Sequence, residues 1–137
     1  MLKIEVVKQV DADNGAGWTY MENPQLRRII EWALQEPLEG FVHRLLVKTC
    51  CEIGEDVSEA ENFWVSVVYS GEPKLGFCYH RNRETGELGV MPDLRVGFAN
   101  DVSDFAESIV HEALHALGWG EQVVEAKAVE IVRNLLV

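Results

Sequence analysis

The chain has 137 residues, 47% of them apolar and 26% charged, the make-up of one ordinary globular domain with room for a single core. Its 23 acidic residues outweigh 12 basic ones, a net charge of −11, and this opposes nucleic acid as a partner because phosphates must be neutralised by clustered Lys and Arg. No stretch approaches the length of a membrane span, and "MLKIEVVKQVD" lacks the apolar core of a signal peptide, so no membrane partner is expected.

"KIEVVKQ" (3–9) reads as a first strand and "DADNGAG" (11–17) as a loop. A helix follows in "ENPQLRRIIEWALQE": Asn23 is placed to cap it, Pro24 to open it, and Leu26, Ile29, Ile30 and Leu34 form its apolar stripe until Pro37. A second helix is predicted from Leu38 to Ile53, with Phe41, Val42, Leu45, Leu46, Thr49 and Cys50 at helical steps and Gly54 as its C-terminal cap. His43 falls off that stripe beside Arg44 and reads as solvated. The cysteines are Cys50, Cys51 and Cys78. An odd number with two adjacent is neither a disulfide framework nor a metal knuckle, so they read as small buried hydrophobes in a reducing, cytoplasmic protein.

From Phe63 the periodicity becomes two. Phe63, Val65, Val67 and Tyr69 alternate with Trp64, Ser66, Val68 and Ser70; "SGEP" turns the chain into a strand at "KLGFCYHRN", and "RETG" turns it again into "ELGVM", closed by Pro92. The expected architecture is therefore α+β: a small antiparallel three-stranded sheet packed against two pairs of helices, in one domain over residues 1–137.

The chemistry lies in the last two helices. One is predicted from about Ser103 to Leu117, capped by Asp101 or Ser103, and the other from about Glu121 onward, with Gly118 and Gly120 breaking the chain around Trp119. In "HEALH", His111 and His115 lie one turn apart on one helix face, as two imidazoles gripping one ion must, and Glu112 sits beside them, placed to take a proton from a water. An open zinc site needs a third protein ligand. With the turn centred near Trp119 and Gly120, His115 would face residues 124 or 125. Glu125 has Ala128, Val129 and Val132 at plus three, four and seven, an acid on an apolar stripe that needs a cation to justify it. Glu121 is the alternative third ligand: it stands six residues after His115 with Gly118 between, as in metzincin-like sites, and it also suits a first helical turn. Glu130, among Lys127, Arg133 and Asn134, reads as a solvated residue, and Trp119 as a hydrophobic plug. For an oxyanion donor, His80 is the first candidate, with Tyr79, Arg81 and Arg95, the last read as part of the loop before the HExxH helix, behind it.

"HEALHAL" followed by "EQVVEAKAVEIVRNLL" resembles the end of compact gluzincin-type HExxH metallopeptidases, including small phage and prophage proteins, over roughly the last half of the chain. That resemblance implies a zincin-like fold with an antiparallel hairpin before the HExxH helix. It also implies Zn²⁺ held by His111, His115 and Glu125, Glu112 as general base, and a peptide or protein as substrate. A weaker likeness is to bacterial endoribonucleases with an HxxxHxLGxxH signature; Glu112 stands where that family has glycine and Glu121 where it has its third histidine. Amide hydrolysis by a metal-activated water is the activity expected. The alternatives are a zincin-scaffold binding protein without turnover and a metal-dependent hydrolase of RNA.

Overall fold

The computed structural model describes residues 2–11, 18–22, 24–69, 76–79, 93–98 and 101–136. Its sheet is mixed, not an antiparallel meander. Strands β1 (Lys3–Asp11), β2 (Trp18–Glu22), β3 (Trp64–Tyr69), β4 (Gly76–Tyr79) and β5 (Asp93–Phe98) lie in the order β2-β1-β3-β5-β4. The central three run parallel, with Val6 beside Val67 and Val67 beside Val96; the two outer strands are antiparallel to their neighbours.

This corrects the expected three-stranded antiparallel sheet, and the reason lies in β3. Val65 and Val67 are buried on one face, but Ser66 and Val68 are buried on the other, so the strand is covered on both sides as interior parallel strands are. Its alternation resembles that of a half-solvated hairpin strand only if Val68 and Ser66 are assigned to water. The strand that partners it is not the next one in sequence. β5 lies between β3 and β4, and β4 bonds to β5 from Gly76↔Val96 to Tyr79↔Asp93. β5 itself falls in a segment read as a loop, although Leu94, Val96 and Phe98 alternate and are all buried. The strand expected over "ELGVM" and the cap expected at Asn23 lie outside the described residues.

The helices follow the predicted spacing closely. Helix α1 (Pro24–Leu34) buries Ile30 and Leu34 but leaves Ile29 exposed; α2 (Leu38–Ile53) buries Leu38, Phe41, Val42, Leu45, Leu46, Thr49 and Cys50. Pro37 cannot cap α2 with a side chain, and the Glu31 carboxylate accepts the Leu38 amide at 2.7 Å instead. At the other end Gly54 adopts φ 77° and its amide bonds back to the last carbonyls of the helix, as a left-handed cap does. After a 3₁₀ segment at Val57–Asn62 the chain enters β3.

Helix α3 (Val102–Ala116) packs on β4 and β5 and against α2, and α4 (Glu121–Leu136) packs on α3. Phe105 joins these layers. It stacks on Phe41 of α2 at 6.0 Å between centroids and meets Phe98 of β5 edge-on at 5.1 Å. A single apolar core therefore runs from the sheet through α2 and α3 to Val124, Ala128, Ile131 and Val132 of α4. No helix among the described residues is long and apolar enough to cross a membrane.

Candidate metal centre

Helix α3 is held at both ends by local chemistry. Asp101, one of the two expected caps, accepts the Asp104 amide at 3.0 Å. At the other end the amides of Leu117, Gly118 and Trp119 return to the carbonyls of Ala113, His115 and Leu114. Gly118 takes φ 99°, a conformation strained for any residue with a Cβ, and this lets the chain reverse within three residues. The Gly120 carbonyl accepts the amides of Val123 and Val124 as α4 begins.

That reversal decides which carboxylate meets the histidines. Glu121 approaches both: its oxygens lie 3.2 Å from His111 Nε2 and 2.9 Å from His115 Nε2, and the two Nε2 atoms are 3.2 Å apart. Among the described residues, His111, His115 and Glu121 are the one group of three with donor atoms all within 4.8 Å of one another. Glu125 is not brought into it. With His115 opposite Glu121, the turn is centred at Gly118 rather than near Trp119 and Gly120, and the facing position moves from 124 or 125 back to 121. The stripe argument for Glu125 meets the same geometry. The buried line of α4 runs through Val124, Ala128, Ile131 and Val132, while Val129 and Glu125 are exposed, so the acid sits one step off the core face.

The donor set suits an open zinc site, in which two imidazole nitrogens and one carboxylate leave a fourth position to water or substrate. Two imidazoles whose Nε2 atoms face each other at this distance need a proton or cation between them, because neutral lone pairs so placed repel. His115 is oriented from behind. Its Nδ1 lies 3.0 Å from the Trp119 carbonyl, so Nδ1 carries the proton as donor and Nε2 is left as a lone pair for an ion. Sequence reasoning missed this role of Trp119, for a main-chain carbonyl carries no residue signature. The Trp119 side chain, expected as a plug, is 38% exposed.

Glu112 is the anomaly of the helix. It is only 8% exposed, and among the described residues no side chain or amide bonds to it. Burial pushes its carboxyl above the usual range, against the pull of His111 and His115 and with a smaller upward push from Glu121. It opens instead onto a cleft of about 440 Å³ between α3 and α4, lined by Asp104, Glu107, Ser108, His111, Glu112, Glu125, Ala128 and Val129. Glu125 belongs to this cleft, one turn along from the ion-binding group.

His80 and Arg81 are outside the described residues; Tyr79 closes β4 and Arg95 lies within β5, not in a loop. His43 makes a surface ion pair with Glu61 at 2.9 Å, in keeping with a solvated residue. Cys50 is buried, its thiol pushed up to about 11 by desolvation, whereas Cys51 is exposed; neither joins a donor group. Compared with the models of known protein families, with curated proteins and with solved structures, the chain finds no match in any of the three.

Proposed function

We propose that the chain is a zinc-dependent hydrolase of amide bonds, with His111, His115 and Glu121 as ligands and Glu112 as general base. The observation that carries it is the convergence of those three donors, of which His111 also lines the neighbouring cleft, beside a buried carboxylate, Glu112, that has no partner among the described residues. Bound zinc would supply Lewis acidity and bring the pKa of a water toward neutrality.

The residues of the chain do the rest. Trp119, through its carbonyl, keeps His115 in the tautomer that presents Nε2. Glu112 has a raised affinity for a proton and no competing hydrogen bond, so it takes a proton from the attacking water and returns it to the leaving amine. Val129 and Ala128 form the apolar side of the cleft. Among the described residues β4 is the sheet edge packed beside α3, and an extended peptide could add to it by main-chain bonds. Free Cys50 and Cys51 favour a reducing cytoplasm as the place of work.

A second reading has one observation in its favour. Glu121 occupies the position of the third histidine in the HxxxHxLGxxH signature, so the ligand geometry suits a metal-dependent RNA hydrolase equally. The carboxylate-lined cleft opposes it, because a phosphodiester would meet like charge there. The test pairs substrates on one preparation. Zinc-loaded chain should cleave casein or a peptide library and leave single-stranded RNA intact, with Glu112→Gln inactive on both. RNA cleavage without peptide cleavage would overturn the amide assignment.

A further inference from the structure

The cleft beside the centre is more acidic than hydrolysis requires. Asp104, Glu107, Glu112 and Glu125 all line it, from two helices, and among the described residues no Lys or Arg does. Among the described residues none of the four carboxylates forms a side-chain hydrogen bond or ion pair. Elsewhere several acids are paired, Glu36 with Arg44, Glu52 with Lys48 and Lys127, and Glu61 with His43. A concave surface of one sign concentrates the opposite charge. Glu112 makes the cleft more than a solvated acidic patch, since it is more than nine-tenths buried and its carboxylate has no partner among the described residues.

The occupant is not a second metal ion held by these acids. Three donors within 4.8 Å occur only at His111, His115 and Glu121 among the described residues, so the cleft carboxylates are too dispersed to close on one ion. A dispersed ring with an apolar wall at Ala128 and Val129 suits an organic cation, whose alkyl stem packs while its head reaches several oxygens.

We infer that this cleft is a specificity subsite for a cationic group of the substrate, an ammonium or guanidinium, seated next to the scissile amide. The inference rests on the amide-hydrolase assignment and names its substrate class. The cation has two sources, a Lys or Arg side chain or a free amino terminus. Either would be drawn by Asp104, Glu107 and Glu125, while Glu112 stays at the reacting bond.

Fluorescence anisotropy on the full chain, as purified and with zinc added, tests it with three labelled heptapeptides. One is amino-terminally acetylated with a single central Lys, its counterpart has citrulline in that place, and the third has a free amino terminus and no basic residue. One of the two cationic peptides should bind at least about tenfold more tightly than the citrulline peptide, and which one does identifies the source. The advantage should fall severalfold in Asp104→Asn with Glu107→Gln, and equally in Glu107→Gln with Glu125→Gln should the first pair fold poorly. It should persist when the same charge is removed at exposed Glu39 and Glu55. Equal binding of all three peptides, or an advantage that the Glu39 and Glu55 changes abolish and the cleft changes do not, would overturn the inference. Cleavage of the same peptides, read by chromatography, reports on amide hydrolysis separately: preference without cleavage sinks the hydrolase and leaves the subsite standing.

Discussion

Helices α2 and α3 are similar in length, both amphipathic, and both packed into one core, yet they treat their polar groups in opposite ways. On α2 the buried Thr49 donates to the Leu45 carbonyl at 2.7 Å, Arg44 and Lys48 pair with Glu36 and Glu52, and His43 pairs with Glu61. On α3 the buried Glu112 has no partner among the described residues, and His111 and His115 turn their nitrogens toward each other and toward one carboxylate. Folding alone satisfies the first helix. The second leaves one buried carboxylate, Glu112, without a partner among the described residues and gathers two imidazoles on a single carboxylate, an arrangement that packing alone does not call for.

The contrast is open to direct attack at Glu112. Glu112→Gln should reduce turnover by about 10²–10⁴-fold, the usual worth of a positioned general base, with zinc content unchanged. In zinc-stripped protein the same change should stabilise. A carboxyl whose folded pKa is raised contributes stability that is full below the ordinary carboxylate range and lost as pH rises through the raised value. Wild type and Glu112→Gln should therefore melt together at low pH and separate as pH rises, the variant melting higher at neutrality. Thermal melts across that range check it; a lower melting temperature for the variant at pH 7 would mean that Glu112 has a partner.

Phe105→Ala should be the most destabilising change away from the centre, about 3–5 kcal/mol by urea titration, since the ring bridges Phe41 and Phe98. Gly118→Ala should lose about 1–2 kcal/mol, because an L side chain is strained at φ 99°. It should also weaken zinc binding by shifting Glu121, which isothermal titration would read. The smallest effect belongs to α2: Thr49→Val should lose about 1 kcal/mol, one buried hydrogen bond, and leave metal binding untouched. Opposite signs for Thr49→Val and Glu112→Gln in stripped protein would be the contrast expressed in one experiment.

Both motif helices and their partners were readable because helical signals are local. Pro24, Gly54, Asp101 and Gly118 act within a few residues, and the three- and four-residue steps of α2 and α3 sort core from surface directly. Sheet topology is not local. Whether Val68 faces water or a second layer depends on what covers it, and the pairing of β3 with β5 rather than β4 is decided across a long connection. At the site, His111, Glu112 and His115 came from spacing alone. The choice between Glu121 and Glu125 turned on where the reversal is centred, and a shift of little more than one residue there moves the facing residue by three or four. The acids at Asp104 and Glu107 recur toward His111 and Glu112 at three- and four-residue steps, but acids near a helix N-terminus so commonly answer its dipole that this spacing alone does not mark a cleft.

Zinc affinity of Glu121→Gln against Glu125→Gln, measured by competition with a chelator on folded protein, bears most directly on the proposed centre. Glu121→Gln should weaken binding by about 100-fold or more, and Glu125→Gln should stay within a few-fold of wild type. Equal affinities in both variants and wild type, or the larger loss in Glu125→Gln, would contradict a site built from His111, His115 and Glu121.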